Sequence, residues 1–302
     1  MTDDQVRLTD PLSFPSGGGA AVRAYLELTK PRIIELLLVT TVPAMFVAAG
    51  GWPGGRLIAA TLVGGTLSAA GANAINQVLD RDIDRIMNRT RRRPLPTDRI
   101  EPGRALAFGI VLGAAGFVWL WQATNMLAAV LSTLGLLVYV VVYTMFLKRS
   151  STQNIVIGGA AGAVPVLVGW AAVADSLALP AWVMFAIVFF WTPPHFWALA
   201  LRYKDEYAAA GVPMLPVVVG ERQTIEHMSA YTIILVGVSL LLYPLGAVGW
   251  IYLGAALSLG VWLFASVRGL MAHAGDAMRF FGYSNVYLAG LFTAMAVDRL
   301  FA

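Results

Sequence analysis

The sequence contains no cysteine, which excludes disulfides and any thiolate chemistry. Charge is scarce too. Only 13% of the 302 residues are charged, against about 25% in soluble domains, while 58% are hydrophobic and mean hydropathy is +0.72. Water is not the solvent of such a chain. The first twenty residues, MTDDQVRLTDPLSFPSGGGA, lack both a basic start and an apolar stretch, so they are not a cleaved signal peptide. Residues 1–22 are expected as a flexible cytoplasmic tail ahead of a single domain at 23–302. Basic residues are missing altogether from three alternate connections, GWPGG at 51–55, QATN at 122–125 and DSLAL at 175–179.

What is present is a series of apolar runs. A hydrocarbon core about 30 Å thick takes roughly 20 apolar residues per helix. Nine runs qualify: 33–50, 56–76, 104–122, 126–146, 154–174, 179–201, 229–247, 249–270 and 283–301. They predict an all-α integral membrane protein of nine transmembrane helices. The connections that do carry Lys and Arg are the other alternate set: Arg81 to Arg99, then Lys148 and Arg149, then Arg202, Lys204 and Arg222, then Arg268 and Arg279. Positive residues stay inside. The expected N-terminus is therefore cytoplasmic and the C-terminus periplasmic, in a bacterial cytoplasmic (inner) membrane.

The densest polar stretch begins at the end of the second run: Asn73-Ala-Ile-Asn76-Gln-Val-Leu-Asp80-Arg-Asp82-Ile-Asp84-Arg-Ile-Met-Asn-Arg89-Thr-Arg91-Arg92-Arg93-Pro94. Asn76, Asp80 and Asp84 recur at i, i+4, i+8, one above another if the helix continues. Stacked carboxylates repel one another unless a cation sits among them. Mg²⁺ suits such a place, since it takes one or two carboxylates and completes its shell with water and phosphate oxygens. The forks of Arg85, Arg89, Arg91 and Arg92 match phosphate oxygens. Together these read as a diphosphate site, against the plainer reading of a wet, topology-setting loop.

A second cluster follows the sixth run: His195-Phe-Trp-Ala-Leu-Ala-Leu-Arg202-Tyr203-Lys204-Asp205-Glu206-Tyr207. Pro213-Met-Leu-Pro216 after it echoes Arg93-Pro-Leu-Pro96 after the first, a hint of two related halves. His195 lies about two turns inside its run, after Pro193 and Pro194. It reads either as a histidine bonded to a carbonyl freed by the prolines or as a contact to a porphyrin. Lys30-Pro31-Arg32 and Lys148-Arg149 are interfacial anchors or anion binders.

The Asn76-x-x-x-Asp80-x-x-x-Asp84 run resembles the first aspartate-rich motif of the UbiA-type intramembrane prenyltransferases, and Asp205-Glu206 falls where their second acidic motif lies. Residues 80–96, 154–172, 192–207 and 210–218 are similar to the branch of that family that farnesylates heme, and 29–33 and 283–288 fit as well. The resemblance implies nine helices around a lipid-open central cavity, with Mg²⁺ held by Asp80, Asp84 and Glu206. It implies a reaction of farnesyl diphosphate, heme B and water to heme O and diphosphate. Asn76, Asp80, Asp84, Asp205 and Glu206 are then the catalytic candidates. Lys30, Arg32, Arg85, Arg89, Arg91, Arg92, Lys148 and Lys204 would face diphosphate, and His195, Arg202 and Tyr203 the heme. The second motif departs from the family pattern, being an adjacent Asp-Glu rather than a spaced aspartate pair. Expected partners are the lipid bilayer and a heme A synthase or oxidase assembly factors, and no nucleic acid. The competing readings are a related prenyltransferase with an aromatic or quinone-precursor acceptor, a secondary transporter, and a non-catalytic heme-delivery protein. The near absence of charge from the membrane interiors argues against transport.

Overall fold

The computed structural model describes residues 18–271 and 276–301, with 32, 33 and 35–38 in backbone only. Every regular element among them is helical. In chain order these are α1 (Gly18–Thr29), α2 (Pro31–Ala49), α3 (Gly55–Leu79), α4 (Arg81–Ile86), α5 (Pro102–Ala123), α6 (Met126–Leu147), α7 (Asn154–Ala174) and α8 (Leu179–Arg202). Short helices α9 (Lys204–Ala209) and α10 (Leu215–Val219) follow, then α11 (Glu221–Leu240), α12 (Trp250–Leu270) and α13 (Ala277–Phe301).

Seven of the described helices, α3, α5 to α8, α12 and α13, are long and apolar enough to cross a bilayer. This makes the chain a multi-pass membrane protein. The run expected at 33–50 is α2, 19 residues long with its entry set by Pro31 and its exit by Gly50 in the left-handed region. The run expected at 229–247 sits instead two turns earlier, in α11. Its first turns carry Glu221, Arg222 and Glu226, and the apolar residues after Leu240 turn at Pro244-Leu-Gly246 rather than extending the helix. Prolines 43, 165, 193 and 194 lie inside helices, which neighbouring helices tolerate in a membrane. α1 begins at Gly18, inside the segment expected as a tail, because Ala24 and Leu28 bury themselves with Ala74 on α3 and with Leu95.

The long helices close a ring. Each packs on the next, from α2 through α3, α5, α6, α7, α8, α11 and α12 to α13, which returns to α2; α7 also meets α2, and α8 meets α13. Where α3 crosses α5, lipid gives no hydrophobic drive, so close backbone approach through small residues does the work. A Cβ on Gly71 would lie 2.6 Å from the Gly109 carbonyl oxygen, and one on Gly116 would lie 2.9 Å from the Ser68 nitrogen. That seam fixes the last two turns of α3, from which the polar cluster emerges. At the opposite end of the ring, buried Asp298 caps the start of α12, accepting from the Gly249 and Tyr252 nitrogens, and Arg299 donates to the Gly246 carbonyl. The pair is thus an end cap, as its position near the helix end suggests.

Candidate functional site

The last turns of α3 tie down the α1–α2 junction. Asn73 donates to the Thr29 carbonyl at 3.0 Å and Gln77 to the Leu28 carbonyl at 2.9 Å, satisfying acceptors left over at the end of α1. Lys30, next in the chain, has φ 52°, a left-handed conformation that costs a side-chain-bearing residue about 1–2 kcal/mol. The strained backbone is matched by a contact: the Lys30 ammonium donates to Asn76 Oδ1 at 2.7 Å. Burial pushes its pKa down to about 7, aided by Arg93 and Lys148 and opposed by Asp84 and Asp80.

α3 ends at Leu79 and α4 starts at Arg81, with Asp80 at the joint. The i, i+4 register nevertheless survives, because Asp80 N–H donates to the Asn76 carbonyl at 2.9 Å and Asp84 N–H to the Asp80 carbonyl at 2.8 Å. Asp80 and Asp84 are only 1% and 2% exposed, so their charges need partners. Side-chain cations meet both, one from the far end of α6 and one from the arginine loop. Lys148 meets Asp80 Oδ2 at 2.5 Å, and Arg93 donates from Nη1 to both oxygens of Asp84 at 2.8 and 3.0 Å. Asn76 Nδ2 donates to the same Asp80 oxygen at 2.7 Å and to Thr144 Oγ1 at 3.0 Å.

Thr144 and Lys148 reach the site through an unusual segment. Val138–Leu147 of α6 is π-helical, so that Lys148 N–H bonds back to the Tyr143 carbonyl, five residues earlier. Such segments are rare and recur at functional sites. Here the widened turn carries both side chains towards α3.

The remaining candidates divide. Arg89 bridges the two acidic segments: its backbone nitrogen donates to Glu206 at 3.3 Å, and its guanidinium lies at Tyr207 and 5.5 Å over the Tyr203 ring. Burial raises the Tyr207 phenol pKa, with Arg89 opposing. Arg202 also lies over Tyr203, at 5.8 Å. Four expected residues are not brought in: Arg85 pairs with Asp98 at 3.0 Å, Lys204 with Glu221 at 3.8 Å, and Arg91 and Arg92 are exposed. Asp205 is exposed as well, so Glu206 is the one that faces the first cluster. The Arg32 side chain lies outside the described residues. His195 is buried on α8 and bonds through Nδ1 to the Ser284 hydroxyl at 2.7 Å, not to a carbonyl freed by the prolines. Arg93, Thr144 and Ser284 were missed. Arg93 stands in an arginine run whose members look alike, while Thr144 and Ser284 are single hydroxyls in apolar helices; nothing in their spacing singles them out.

Among the described residues no three acidic or histidine side chains form a ready metal cage. Mg²⁺ does not need one. Asp80 fits it, since its Oδ1 is buried with no hydrogen-bond partner among the described residues, whereas both Asp84 oxygens accept from Arg93. A buried carboxylate with a spare oxygen, two amines and a guanidinium is an arrangement for an anion and its counter-cation. The model of the UbiA prenyltransferase family matches residues 37–288. The chain belongs to the UbiA prenyltransferase family. A protoheme IX farnesyltransferase of Gloeobacter violaceus is 52% identical over 285 residues, 93% of this chain and 93% of that one. Among solved structures, a digeranylgeranylglyceryl phosphate synthase superposes with a TM-score of 0.77 at 18% identity, over 93% of this chain and 99% of that one. A UbiA homologue from Archaeoglobus fulgidus bound to GPP and Mg²⁺ superposes with a TM-score of 0.64 at 16% identity, over 90% and 99%. The UbiA match takes in every site residue named above except Lys30 and Arg32.

Proposed function

We propose that this UbiA prenyltransferase moves the farnesyl group of farnesyl diphosphate to a vinyl group of heme B with addition of water, giving heme O and diphosphate. The observation that carries the donor half is the buried cluster itself: Lys30, Lys148 and Arg93 converge on Asn76, Asp80 and Asp84, and one oxygen of Asp80 has no partner among the described residues. Lys148 and Arg93 balance the two carboxylates, and Lys30, its pKa held near 7, supplies the further positive charge that suits a diphosphate. The acceptor half rests on the 52% identical relative, which is named for the farnesylation of protoheme IX.

Asp80 and Asp84, with Glu206 from the facing segment, are the groups that would hold Mg²⁺, Asp84 by exchanging its Arg93 contact for the ion, which would supply charge neutralisation at the leaving diphosphate. The homologue solved with GPP and Mg²⁺ supports a metal-dependent reading of the fold. Lys30 and Lys148 stabilise the charge that develops on diphosphate as the allylic C–O bond breaks and its electron pair departs. Asn76 keeps Lys30 and Asp80 in register. The vinyl π pair then attacks the farnesyl carbon, the cation beside the pyrrole takes water, and a proton leaves to give the hydroxyl. Apolar walls shield the allylic cation from water until it is captured. His195, Arg202 and Tyr203 are the heme contacts on this reading, the last two at the mouth where propionates end.

In the membrane, α2, α3, α5 to α8 and α11 to α13 make nine spans, with residues 1–22 as a cytoplasmic tail and the C-terminus periplasmic in the bacterial cytoplasmic membrane. The product suits hand-over to a heme A synthase or oxidase assembly factors. The test incubates purified protein with heme B, farnesyl diphosphate and Mg²⁺ and follows porphyrins by mass spectrometry. The expected product is heavier by one farnesyl and one water and disappears with EDTA. Unchanged heme beside a prenylated aromatic or quinone-precursor acceptor would transfer the chain to another branch of the family.

A further inference from the structure

His195 is held more tightly than packing requires. Its ring is stacked between Trp191, one turn earlier on α8, at 4.1 Å and 20°, and Phe281 of α13 at 4.2 Å and 25°. Phe196 closes an edge at 5.3 Å. The ring plane is therefore fixed from both faces. Ser284 of α13 then fixes rotation within that plane, through the 2.7 Å contact to Nδ1. Trp191 reinforces the same point, since its indole N–H donates to the Ser284 carbonyl at 2.7 Å.

The hydrogen bonds also select a tautomer. A hydroxyl has one hydrogen to give, and that of Ser284 is directed to the Phe281 carbonyl at 2.8 Å. The carbonyl can only accept, so this arrangement leaves the Ser284 oxygen to accept from the ring and favours the imidazole proton on Nδ1 and the electron pair on Nε2. Nε2 makes no hydrogen bond among the described residues. The ring lies seven residues before Arg202 on the same helix, a depth of about 10 Å at 1.5 Å per residue. That separation suits a flat amphiphile whose carboxylates remain with the arginines at the mouth and whose centre lies among the aromatics.

We propose that Ser284 is a positioning residue: it holds His195 as the Nδ1–H tautomer so that Nε2 presents its electron pair as an axial donor to the iron of the acceptor. This rests on the heme reading above. It adds that the chain senses the iron and not only the macrocycle, in the manner of metal-bound histidines whose second nitrogen is tethered.

The test compares heme B with metal-free protoporphyrin IX, titrated into the purified full chain and into Ser284→Ala, Ser284→Thr and His195→Ala. The wild type should bind heme B with the absorption and electron-resonance signature of a histidine-ligated ferric iron. Ser284→Ala should weaken heme B binding about ten-fold or more, the usual effect of removing a ligand's tether, and Ser284→Thr should restore it. His195→Ala should lose the signature and regain it with added imidazole. Protoporphyrin IX and farnesyl diphosphate binding should be unchanged in all three, which also shows that they fold. Equal losses for both porphyrins, or no loss in Ser284→Ala, would overturn the proposal while leaving the heme reading intact. If the wild type bound neither porphyrin, the heme reading itself would fall.

Discussion

The two acidic segments use the same residue types after the same kind of helix end, yet they are built differently. Asp80 and Asp84 are buried and each is met by a cation from elsewhere in the chain. Asp205 and Glu206 lie on a six-residue helix, one exposed and the other accepting a single 3.3 Å bond. Even the loops that follow are alike, with Leu95 buried after the first and Met214 and Leu215 after the second. The difference teaches that partners, not acidity, make a template. The first segment is preset by α1, α3, α6 and the arginine loop. The second is held by the packing of Tyr207 against Ile83 and Met87, and its acidic side chains meet the first segment through Arg89 alone among the described residues.

Substitutions that remove charge without changing shape break this comparison most strongly. Asp80→Asn should lower turnover by about 10²–10³-fold, the scale of losing one electrostatic element of a transition-state site, measured as product formed per enzyme. Asp205→Asn should remain within about two-fold, as exposed substitutions do. Equal effects would mean that the two segments share one role. The next largest effect concerns stability. Lys148→Met strands the buried Asp80 charge and should cost about 3–5 kcal/mol in unfolding from detergent, whereas Lys204→Met breaks a solvent-facing contact of 3.8 Å worth about 0–1 kcal/mol. Adding Asp80→Asn to Lys148→Met should restore stability without restoring turnover, which separates the folding role of the pair from its catalytic one.

Much of this was legible in advance. Apolar length alone located α7 at its observed bounds and placed α2, α3, α5, α6, α8 and α12 within a few residues, because in lipid a helix must satisfy its own backbone. The run at 229–247 misled because apolarity continues through the Pro244 turn, and hydropathy does not see a turn. The i, i+4, i+8 spacing put Asn76, Asp80 and Asp84 together correctly, and Lys30 and Lys148 were both candidates. Which arginine mattered was not legible. Arg85, Arg91, Arg92 and Arg93 are indistinguishable as a run, and only the fold of 87–101 turns Arg93 back onto Asp84 while sending Arg85 to Asp98. Thr144 escaped notice because a π segment shifts register without any compositional sign.

Lys30 and Asp82 sharpen the comparison further through pH. With its pKa held near 7 by burial, Lys30 is largely neutral at pH 8 in the free protein, and a bound diphosphate would favour its charged form. Donor binding should therefore take up a proton at pH 8, and apparent donor affinity should fall as pH rises above about 7, by at most about ten-fold per unit. Calorimetry in buffers of different ionisation enthalpy measures the uptake, and Lys30→Met should abolish it. Stability of the free protein should move the opposite way. The unfolded lysine, at 10.5, binds more protons than the folded one, so its penalty is full below about 7 and is relieved as pH rises towards 10.5.

Asp82, between the two buried aspartates, gives the smallest effect and the cleanest control. Its side chain is 61% exposed and is gripped by Arg149 through two bonds at 2.6 and 2.7 Å. Hydrogen bonds from Arg149, the largest cause, hold its pKa at about 2, below the ordinary 3.8. A depressed carboxylate stabilises the fold above its unfolded pKa and loses that contribution as pH falls through the folded one. Asp82→Asn should thus cost no more than about 1 kcal/mol near neutrality, less in high salt, and a shrinking amount as the pH at which wild type and variant are compared falls through about 2. Turnover should be close to wild type throughout. A loss like that of Asp80→Asn would show that exposure and one-to-one pairing do not separate the structural aspartate from the two buried ones.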